Sequence, residues 1–371
     1  MKSISEEQIV NVAEQFCFEG IYQGSEPFGN GHINDTFRLV FQTGKQEIKR
    51  YILQRMNKDI FSKPAQLMEN IAGVTTYLRD VITANGGDPK RETLNVIPAK
   101  DGATYYSDAQ EEYWRAFSFI EDADSLEQVK TPEDFYECAV AFGNFQRQLA
   151  DYPAETLHET IPGFHDTKAR FEVFQEAVKK DICRRAASVQ KEIDFILERE
   201  QITGVFGDLL AKKEIPLRVT HNDTKLNNIM IDKKTRKGIC VIDLDTVMPG
   251  LAMNDFGDSI RFGASSALED ERDLSKVRCD MDLFEAYTRG FIEGCGGKLT
   301  RREIELLPMG AKVMTFECGM RFLTDYLQGD IYFKIHRPAQ NLDRCRTQLK
   351  LVWDMEQKWQ TMQEIVKKYD C

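Results

Sequence analysis

Residues 221–228 read His-Asn-Asp-Thr-Lys-Leu-Asn-Asn, and residues 241–245 read Val-Ile-Asp-Leu-Asp. Asn228 follows Asp223 by five positions, and the apolar runs after it predict two strands joined by a polar turn. The second of these strands leads into Asp243. We therefore expect a loop, a strand, a turn and a second strand to bring polar oxygen atoms to one region of the fold.

The residue types in these two segments suit the transfer of a phosphoryl group from ATP to a hydroxyl. That reaction needs a carboxylate that orients the hydroxyl and accepts its proton, and oxygen ligands that hold Mg²⁺ on the phosphates. Asp223 meets the first requirement, and Asn228 and Asp243 meet the second. The protein-kinase signature has the same order and the same spacing from Asp to Asn. Although Asp and Asn are also common in turns, the flanking strands favour the catalytic interpretation.

The composition is typical of a globular protein. Of 371 residues, 42% are hydrophobic and 29% are charged, and the length allows two lobes. The net charge of −11 disfavours nucleic acid as a partner. No apolar run approaches the roughly 18 residues that span a bilayer, and the N-terminal residues do not resemble a secretory signal. We predict a cytoplasmic protein without a membrane partner, with a monomer as the default state.

The cysteines and histidines do not suggest a metal site of their own. Nine cysteines occur without a C-x-x-C pair, which predicts free thiols in a reducing compartment. Five histidines occur without a histidine and cysteine cluster, so the sequence does not support a zinc site. The metal that the motif implies is Mg²⁺, bound together with ATP.

The order of predicted elements indicates an α+β, protein-kinase-like fold with two lobes, a small β-rich one followed by a larger, mainly helical one. We assign residues 1–119 to a nucleotide-binding lobe and residues 120–371 to a lobe with the catalytic loop, the metal site and the substrate pocket. Helices are predicted at 8–19, 63–83, 270–294, 301–326 and 341–370, and strands at 21–40 around a turn, 48–56, 93–98 and 113–119.

A glycine-containing turn, 28–35, joins the first two strands. Gly29 and Gly31 would let backbone N–H groups approach phosphates without a clash from a Cβ atom. The same residues are more typical of an ordinary hairpin turn. The turn alone therefore does not identify a phosphate site.

The whole layout resembles the aminoglycoside phosphotransferase and choline kinase superfamily, whose members are small-molecule relatives of protein kinases. The family pattern is H-[GN]-D, then Asn, then the metal Asp, a Gly and a further Asp, which here are His221-Asn222-Asp223, Asn228, Asp243, Gly250 and Asp255. Segments such as G-N-G-H-I-N-D-T, Y-I-L-Q-R-M-N and D-F-G-D-S-I-R-F-G-A are similar to those of bacterial kinases that phosphorylate the anomeric hydroxyl of N-acetylglucosamine or N-acetylgalactosamine. This similarity runs nearly end to end.

The resemblance implies how the catalytic loop works. Asp223 would hold the sugar hydroxyl and accept its proton, so that the oxygen attacks the γ-phosphorus in line. His221 would be a buried residue that fixes the loop, and Asp255 would accept backbone N–H bonds from that loop. Asn228 and Asp243 would hold Mg²⁺, and Asp245 would either assist them or orient the substrate.

The resemblance also implies the ligand contacts. ATP contacts are predicted for Gly29, Asn30, Gly31, Asn34, Gln54, Phe119, Ile120 and Glu121. Contacts with the sugar are predicted for His32, Asp223, Asp245, Arg261, Phe262, Arg321, Asp325 and Tyr326. Arg321 and Asp325 are four residues apart on one predicted helix, so we expect them to brace each other beside a polar ligand.

One departure from the kinase pattern concerns the third strand. Protein kinases place a lysine there that holds the α- and β-phosphates, whereas the equivalent residue here is Gln54. A neutral amide cannot supply that charge, and Arg55 points to the opposite face of a regular strand. We hypothesise that Lys225 supplies the positive charge at the γ-phosphate. The alternative is that Lys225 is a solvated loop residue.

Two other functions are compatible with the same motifs. A choline, ethanolamine or aminoglycoside kinase would bind a cation in an acidic or aromatic pocket, and Arg261 and Arg321 would repel that cation. A pseudokinase would bind nucleotide without turnover, which agrees with the missing third-strand lysine. The intact residues Asp223, Asn228 and Asp243 oppose that reading.

Overall fold

The computed structural model describes residues 4–29, 33–44, 47–126, 128–129 and 131–370. The α-helices in these ranges are α1 Glu6–Ala13, α2 Pro64–Ala84, α3 Pro132–Gln148, α4 Thr167–Lys180, α5 Gln190–Leu197, α6 Val205–Ala211, α7 Ala252–Gly263, α8 Met281–Cys295, α9 Arg301–Glu305, α10 Leu307–Gln328, α11 Gln340–Gln357 and α12 Trp359–Tyr369. The strands are β1 Ile21–Pro27, β2 Asp35–Gln42, β3 Ile48–Met56, β4 Val96–Ile97, β5 Tyr106–Ser107, β6 Tyr113–Ser118, β7 Ala123–Ser125, β8 Arg218–Thr220, β9 Ile229–Asp232, β10 Gly238–Val241 and β11 Met248–Gly250. Among the described residues, no helix is both long and apolar enough to cross a membrane.

The chain forms two compact units, each assembled from three stretches of sequence. The N-terminal unit comprises Met1–Asp124, Asp151–Ile161 and Met230–Met248, and the C-terminal unit comprises Ser125–Ala150, Pro162–Ile229 and Pro249–Cys371. Strands dominate the early part of the chain and helices dominate the later part, so the predicted fold class is confirmed. The lobe boundary after residue 119 stays a prediction.

An antiparallel sheet is the centre of the N-terminal unit. Its strand order is β1-β2-β3-β6-β4, and β5 also pairs with β6. Alternate residues of β2, namely Phe37, Leu39 and Phe41, are buried, as expected for a strand with one face on a core. Tyr51 and Leu53 of β3 join the same core.

Two cross-strand rows on opposite faces of this sheet matter for the site. Thr36 of β2 lies opposite Gln54 of β3, which lies opposite Arg115 of β6. The neighbouring row, one register position along, contains Asp35, Arg55 and Trp114. Because successive side chains of a strand point to opposite faces, Arg55 faces away from Gln54, as predicted.

A second, small sheet in the N-terminal unit has the order β10-β9-β7. The predicted hairpin of two strands after the catalytic loop is therefore present as β9 and β10. Asp243 follows β10 and has a left-handed backbone, with φ of 58°. Asp tolerates this conformation better than most residues because its short side chain can bond locally.

The C-terminal unit packs its helices closely. One apolar face of α3, which includes Phe135, Phe142 and Phe145, is buried. Thr131 caps this helix by accepting a bond from Asp134 N at 3.1 Å. A Cβ atom on Gly257 of α7 would lie 2.2 Å from the carbonyl oxygen of Gly310 of α10. Only glycine allows such an approach of two helices.

Several predicted helix boundaries are wrong. The helix predicted at 270–294 begins only at Met281, because Asp280 caps it by accepting bonds from Asp282 N and Leu283 N. The segment predicted as one helix at 301–326 is divided at Leu306 into α9 and α10. The last predicted helix is likewise divided at Lys358 into α11 and α12.

Candidate active site

The loop of residues 221–228 leaves β8 and enters β9, and its first residue is fully enclosed. The His221 side chain is buried and its ring meets the rings of Phe142 and Phe145 edge-on, with centroids 5.6 and 6.2 Å apart. His221 Nδ1 accepts a hydrogen bond from the backbone N–H of Asp223 at 3.3 Å. This geometry is that of a residue that fixes the loop.

The carboxylate of Asp255, on α7, binds the start of this loop. This carboxylate accepts the backbone N–H of His221 at 2.9 Å and that of Asn222 at 2.7 Å, as the family resemblance implied. It also accepts a bond from Gln146 Nε2 at 2.8 Å. Burial raises the pKa of Asp255, and these donors offset only part of that effect.

The next turn of α7 also forms hydrogen bonds with the loop. Asp258 Oδ2 accepts the N–H of Thr224 at 3.1 Å, and Ser259 Oγ donates to the carbonyl of Thr224 at 2.7 Å. Arg261 pairs with Asp258 at 2.9 Å and with Glu269 at 2.9 Å. Burial raises the pKa of the Asp258 carboxyl, but the charges of Arg261 and Lys225 outweigh burial and lower it overall. The loop is thus attached to α7 through Asp255, Asp258 and Ser259.

The other end of the loop carries the groups proposed for chemistry. Lys225 Nζ lies 2.6 Å from Asp223 Oδ1, and the two side chains are 40% and 27% exposed, so both groups are accessible to a ligand. Asn228 Nδ2 donates to the carbonyl of Asp223 at 2.8 Å and lies 3.4 Å from its carboxylate. Burial lowers the pKa of Lys225, but the ion pair with Asp223 outweighs it, so the pKa is raised overall.

The backbone at Gly250 lies too close to neighbouring side chains to allow a larger residue. A Cβ atom on this residue would lie 2.1 Å from Thr220 Oγ1 and 3.0 Å from Asn222 Oδ1. The strand β11 pairs with β8 at this position. A larger residue would therefore push the entrance of the catalytic loop out of place.

A buried acid on α10 reaches the same loop through a histidine. Glu317 accepts a bond from Thr167 Oγ1 at 2.6 Å and lies 3.1 Å from His165 Nδ1. The other ring nitrogen of His165 lies 3.4 Å from the carbonyl oxygen of Asn222. Burial raises the pKa of Glu317, but the contacts with His165 outweigh burial and lower it overall.

We expect Glu317→Gln to destabilise the protein in a pH-dependent way. A carboxyl whose pKa is lowered by folding stabilises the native state above its unfolded pKa of about 4.3, and this contribution is lost as the pH falls through the folded pKa. The free energy of unfolding from urea titrations should therefore differ more between wild type and variant at neutral pH than below about pH 4. An equal difference at both pH values would show that Glu317 is not held ionised by His165.

In the N-terminal unit, the predicted residues Asn34, Gln54 and Asp245 belong to one polar network. Asp245 is buried and accepts a bond from Asn34 Nδ2 at 2.7 Å. Its other carboxylate oxygen forms an ion pair with Arg115, whose Nε donates to Gln54 Oε1 at 2.9 Å. Gln54 in turn donates to Thr36 Oγ1 at 3.0 Å.

The remaining nucleotide predictions also lie in the N-terminal unit. The ring of Phe119 meets that of Phe28 edge-on at 5.6 Å, next to Gly29, which has a positive φ of 79°. Ile120 is buried, and Glu121 pairs with Arg50 at 2.7 Å. Asn30, Gly31 and His32 lie outside the described residues.

The predicted sugar contacts on α10 are arranged differently from the expectation. In the described part of the chain Arg321 and Asp325 form no ion pair. Asp325 instead accepts the N–H groups of residues 331–333 at 2.8 to 2.9 Å and a bond from Asn341. Arg321 lies over the rings of Phe164, Tyr332 and Phe333. The predicted brace is wrong because the loop that directly follows α10 occupies the carboxylate.

The other predicted sugar contacts have different environments. The guanidinium of Arg185 lies 4.5 Å from the ring centroid of Tyr326. Arg261 is occupied by its two acidic partners, whereas Phe262 is 39% exposed. Within the described residues, no carboxylate pairs with Arg321 and no cation lies over the ring of Phe262.

Sequence reasoning missed several residues that shape the site. Asp258 could have been found, because it follows Asp255 by three positions and so lies on the same helix face. Arg115 carried a signal too, since it is a charge inside the apolar strand β6. Glu317 and His165 had none, because they are 152 positions apart and no motif joins them.

The donor set of the proposed metal ligands suits Mg²⁺. The hydrogen bonds of the Asn228 side chain are made by its nitrogen, so within the described residues its amide oxygen has no hydrogen-bond donor. An amide oxygen and a carboxylate such as Asp243 are the hard donors that this ion takes when phosphates supply further ligands. The residues present therefore fit the ion.

Three solved structures are similar to this chain over nearly its whole length. An aminoglycoside phosphotransferase from Alicyclobacillus acidocaldarius has a TM-score of 0.61 at 13% identity, covering 100% of this chain and 97% of the other. A choline kinase from Cryptosporidium parvum Iowa II has a TM-score of 0.57 at 15% identity, covering 98% and 99%. A spectinomycin phosphotransferase solved with ADP and spectinomycin has a TM-score of 0.56 at 13% identity, covering 96% and 100%. At these identities the likeness concerns the fold.

A sequence comparison with known families goes further than the fold. The pattern of the phosphotransferase enzyme family matches residues 25–278, a range that contains the whole catalytic loop, Asp243 and α7. This range is well over half of the 371 residues. The chain therefore belongs to the phosphotransferase enzyme family that includes the aminoglycoside phosphotransferases.

Proposed function

We propose that this protein transfers the γ-phosphoryl group of ATP to the anomeric hydroxyl of an N-acetylhexosamine, which is the reaction of an N-acetylhexosamine 1-kinase. Membership of the phosphotransferase family supports the reaction class. The observation that carries the proposal is the half-buried Asp223 carboxylate, which is ion-paired with Lys225 on a loop that buried groups hold in place. The sugar specificity rests on the resemblance of segments 29–36, 51–57 and 255–264 to those of bacterial N-acetylhexosamine kinases.

Asp223 is the proposed general base. Its carboxylate accepts the proton of the sugar O1 hydroxyl while that oxygen forms a bond to the γ-phosphorus. The bond between this phosphorus and the β–γ bridging oxygen breaks, so that the products are the sugar 1-phosphate, ADP and a proton. Because the transition state is loose, orientation of the hydroxyl by Asp223 matters more than strong basicity.

Asn228 and Asp243 are the proposed ligands of the Mg²⁺ ion that accompanies ATP. When bound, this ion neutralises the charge that develops on the phosphate oxygens. Both carboxylate oxygens of Asp245 are engaged within the N-terminal unit, one by Asn34 and the other by Arg115. We therefore assign Asp245 to positioning rather than to the metal.

The proposed sugar contacts centre on Arg321. Its guanidinium lacks a carboxylate partner among the described residues, lies over three aromatic rings and is 3.4 Å from the hydroxyl of Tyr332. Guanidinium N–H groups can donate to ring hydroxyls or to the acetamide oxygen, and the rings offer an apolar surface for a methyl group. A cationic acceptor such as choline would be repelled here.

Lys225→Met should lower kcat by about 10- to 100-fold, because a hydrogen bond to a charged group contributes about 1.5–3 kcal/mol. The pairing of Lys225 with Asp223 places this ammonium next to the proposed base, where charge develops on the transferred phosphoryl group. Steady-state kinetics with saturating ATP would measure the change. Lys212→Met, at an exposed position after α6, is the control. Unchanged turnover in Lys225→Met would remove this residue from the mechanism.

The proposal as a whole is tested by offering ATP and Mg²⁺ with N-acetylglucosamine, N-acetylgalactosamine, glucose, galactose, choline or an aminoglycoside. Phosphorus NMR should show a phosphate on O1 of an N-acetylhexosamine, and Asp223→Asn should abolish it. Phosphorylation of choline or the aminoglycoside instead would overturn the sugar assignment and retain the reaction class. Nucleotide binding without any turnover would favour a pseudokinase.

A further inference from the structure

The cation that the third strand lacks has a counterpart on the neighbouring strand. Gln54 takes the place of the expected lysine on β3, and Arg115 lies directly opposite it on β6. The two side chains share one face of the sheet and are joined by the bond from Arg115 Nε to Gln54 Oε1 at 2.9 Å. The guanidinium of Arg115 therefore places a positive charge on the face of the sheet that Gln54 shares. This charge comes from β6 and not from β3.

The charge of Arg115 is buried and paired with that of Asp245. Arg115 is 1% exposed, and its Nη1 faces Asp245 Oδ1 as an ion pair rather than as an aligned hydrogen bond. Asp245 is itself only 5% exposed. Because a buried charge without its partner is very unfavourable, each of these groups fixes the position of the other.

Asp245 is also bonded to Asn34, the residue that precedes β2. Asn34 donates to Asp245 Oδ2 at 2.7 Å, and its own Oδ1 accepts the N–H of Asn57 at 3.0 Å. Asn34 is thus held between the residue after β3 and the segment 243–247. Every one of these residues lies in the N-terminal unit.

The same segment is held a second time from α2. Asn70, which is buried, donates to the carbonyl of Val247 at 3.0 Å and to that of His158 at 2.8 Å, and accepts the N–H of His158. The backbone that carries Asp243 is therefore restrained on one side by Arg115 through Asp245 and on the other by Asn70.

We propose that Arg115 is a positioning residue for nucleotide binding. It substitutes for the missing third-strand lysine by holding Asp245, and through Asp245 it joins Asn34 to the segment that carries the proposed metal ligand Asp243. This inference rests on the proposed use of ATP. We therefore expect loss of the Arg115 guanidinium to weaken nucleotide binding more than it weakens binding of the acceptor sugar.

The test compares two arginines of the same sheet. Arg115→Met removes the guanidinium from the Gln54 row, whereas Arg55→Met removes one from the neighbouring row on the opposite face, where Arg55 pairs with Asp35 at 2.6 Å. Binding of ADP with Mg²⁺, measured by calorimetry, needs no knowledge of the acceptor. We expect Kd to rise about 10- to 100-fold for Arg115→Met and less than about threefold for Arg55→Met.

Two further variants keep the test valid if Arg115→Met folds poorly. Asn34→Ala removes the bond from residue 34 to Asp245 and leaves the Arg115–Asp245 pair intact, so it should weaken ADP binding without a large loss of thermal stability. Arg115→Lys keeps the charge but has too few donors in a fixed geometry to hold both Gln54 and Asp245, and it should restore only part of the affinity.

The outcomes separate this inference from the proposed function. If Arg115→Met and Asn34→Ala bind ADP as wild type does, Arg115 is merely structural and the inference is overturned. If wild type binds ADP but phosphorylates none of the sugars, the substrate assignment is overturned, and the comparison of Arg115 with Arg55 still decides the inference. A wild type that does not bind ADP overturns both.

Discussion

Asp223→Asn should reduce kcat by about 10²- to 10⁴-fold, the usual contribution of a positioned general base. The amide has the shape of the carboxylate, so it can keep the contact with Asn228, but it can neither accept the hydroxyl proton nor form the ion pair with Lys225. Because nucleotide binding does not use the lost charge, the Kd for ADP should stay within about twofold of wild type. Initial rates at saturating ATP and calorimetry with ADP measure the two quantities.

A matched control separates the role of Asp223 from a general effect of removing one negative charge. Asp208 is exposed on α6 of the same unit, and Asp208→Asn should have the kcat of wild type. If Asp223→Asn retained more than a tenth of the wild-type kcat, the proton would have to go elsewhere. The loop would then orient the hydroxyl without acting as its base.

Asp255→Ala should destabilise the protein by about 3 kcal/mol or more. The substitution leaves three buried donors without an acceptor, namely the N–H groups of His221 and Asn222 and the amide of Gln146, and each costs about 1–3 kcal/mol. Removal of a carboxylate whose pKa is raised by burial offsets part of this loss. Activity should fall as well, because the same donors set the position of the catalytic loop.

Asp255→Asn is the informative comparison for this prediction. Asparagine keeps the volume and one carbonyl acceptor, so urea titration should show a smaller loss of unfolding free energy than for alanine. If the two variants had equal stability and wild-type turnover, the bonds from Asp255 to the loop would contribute neither to folding nor to positioning.

Local sequence patterns predicted which helices and strands are present better than they predicted where each one begins and ends. The strand β3 occurs at the predicted residues, and α2 differs by one residue at each end. The errors arise where a side chain or proline acts on the backbone. Asp280 starts α8 later than the apolar pattern suggests, and Pro308 opens α10 just after α9 has ended. Such caps are local, but an apolar period alone does not include them.

Within the site, the family resemblance predicted a contact between two separate segments, whereas spacing along a single helix predicted a local pair that is absent from the described residues. The bonds from Asp255 to the catalytic loop were implied by the family resemblance, and they are present. The pairing of Arg321 with Asp325 was predicted from spacing on a helix, but the N–H groups of residues 331–333 take the carboxylate. The charge of Arg115 inside β6 is visible in the sequence, but its neighbour Gln54 is not, because the register of β3 and β6 decides that pairing.

The attachment of the catalytic loop to α7 has a consequence for the thermodynamics of substrate binding. Thr224 is bonded to Asp258 and Ser259, and the two residues at the start of the loop are bonded to Asp255. Restricting one backbone residue costs about 1–2 kcal/mol of conformational entropy. Here that cost falls on the folding of the helical unit. A substrate that arrives at Asp223 finds a loop that is already ordered, and the intrinsic free energy of its contacts can be used for affinity and orientation.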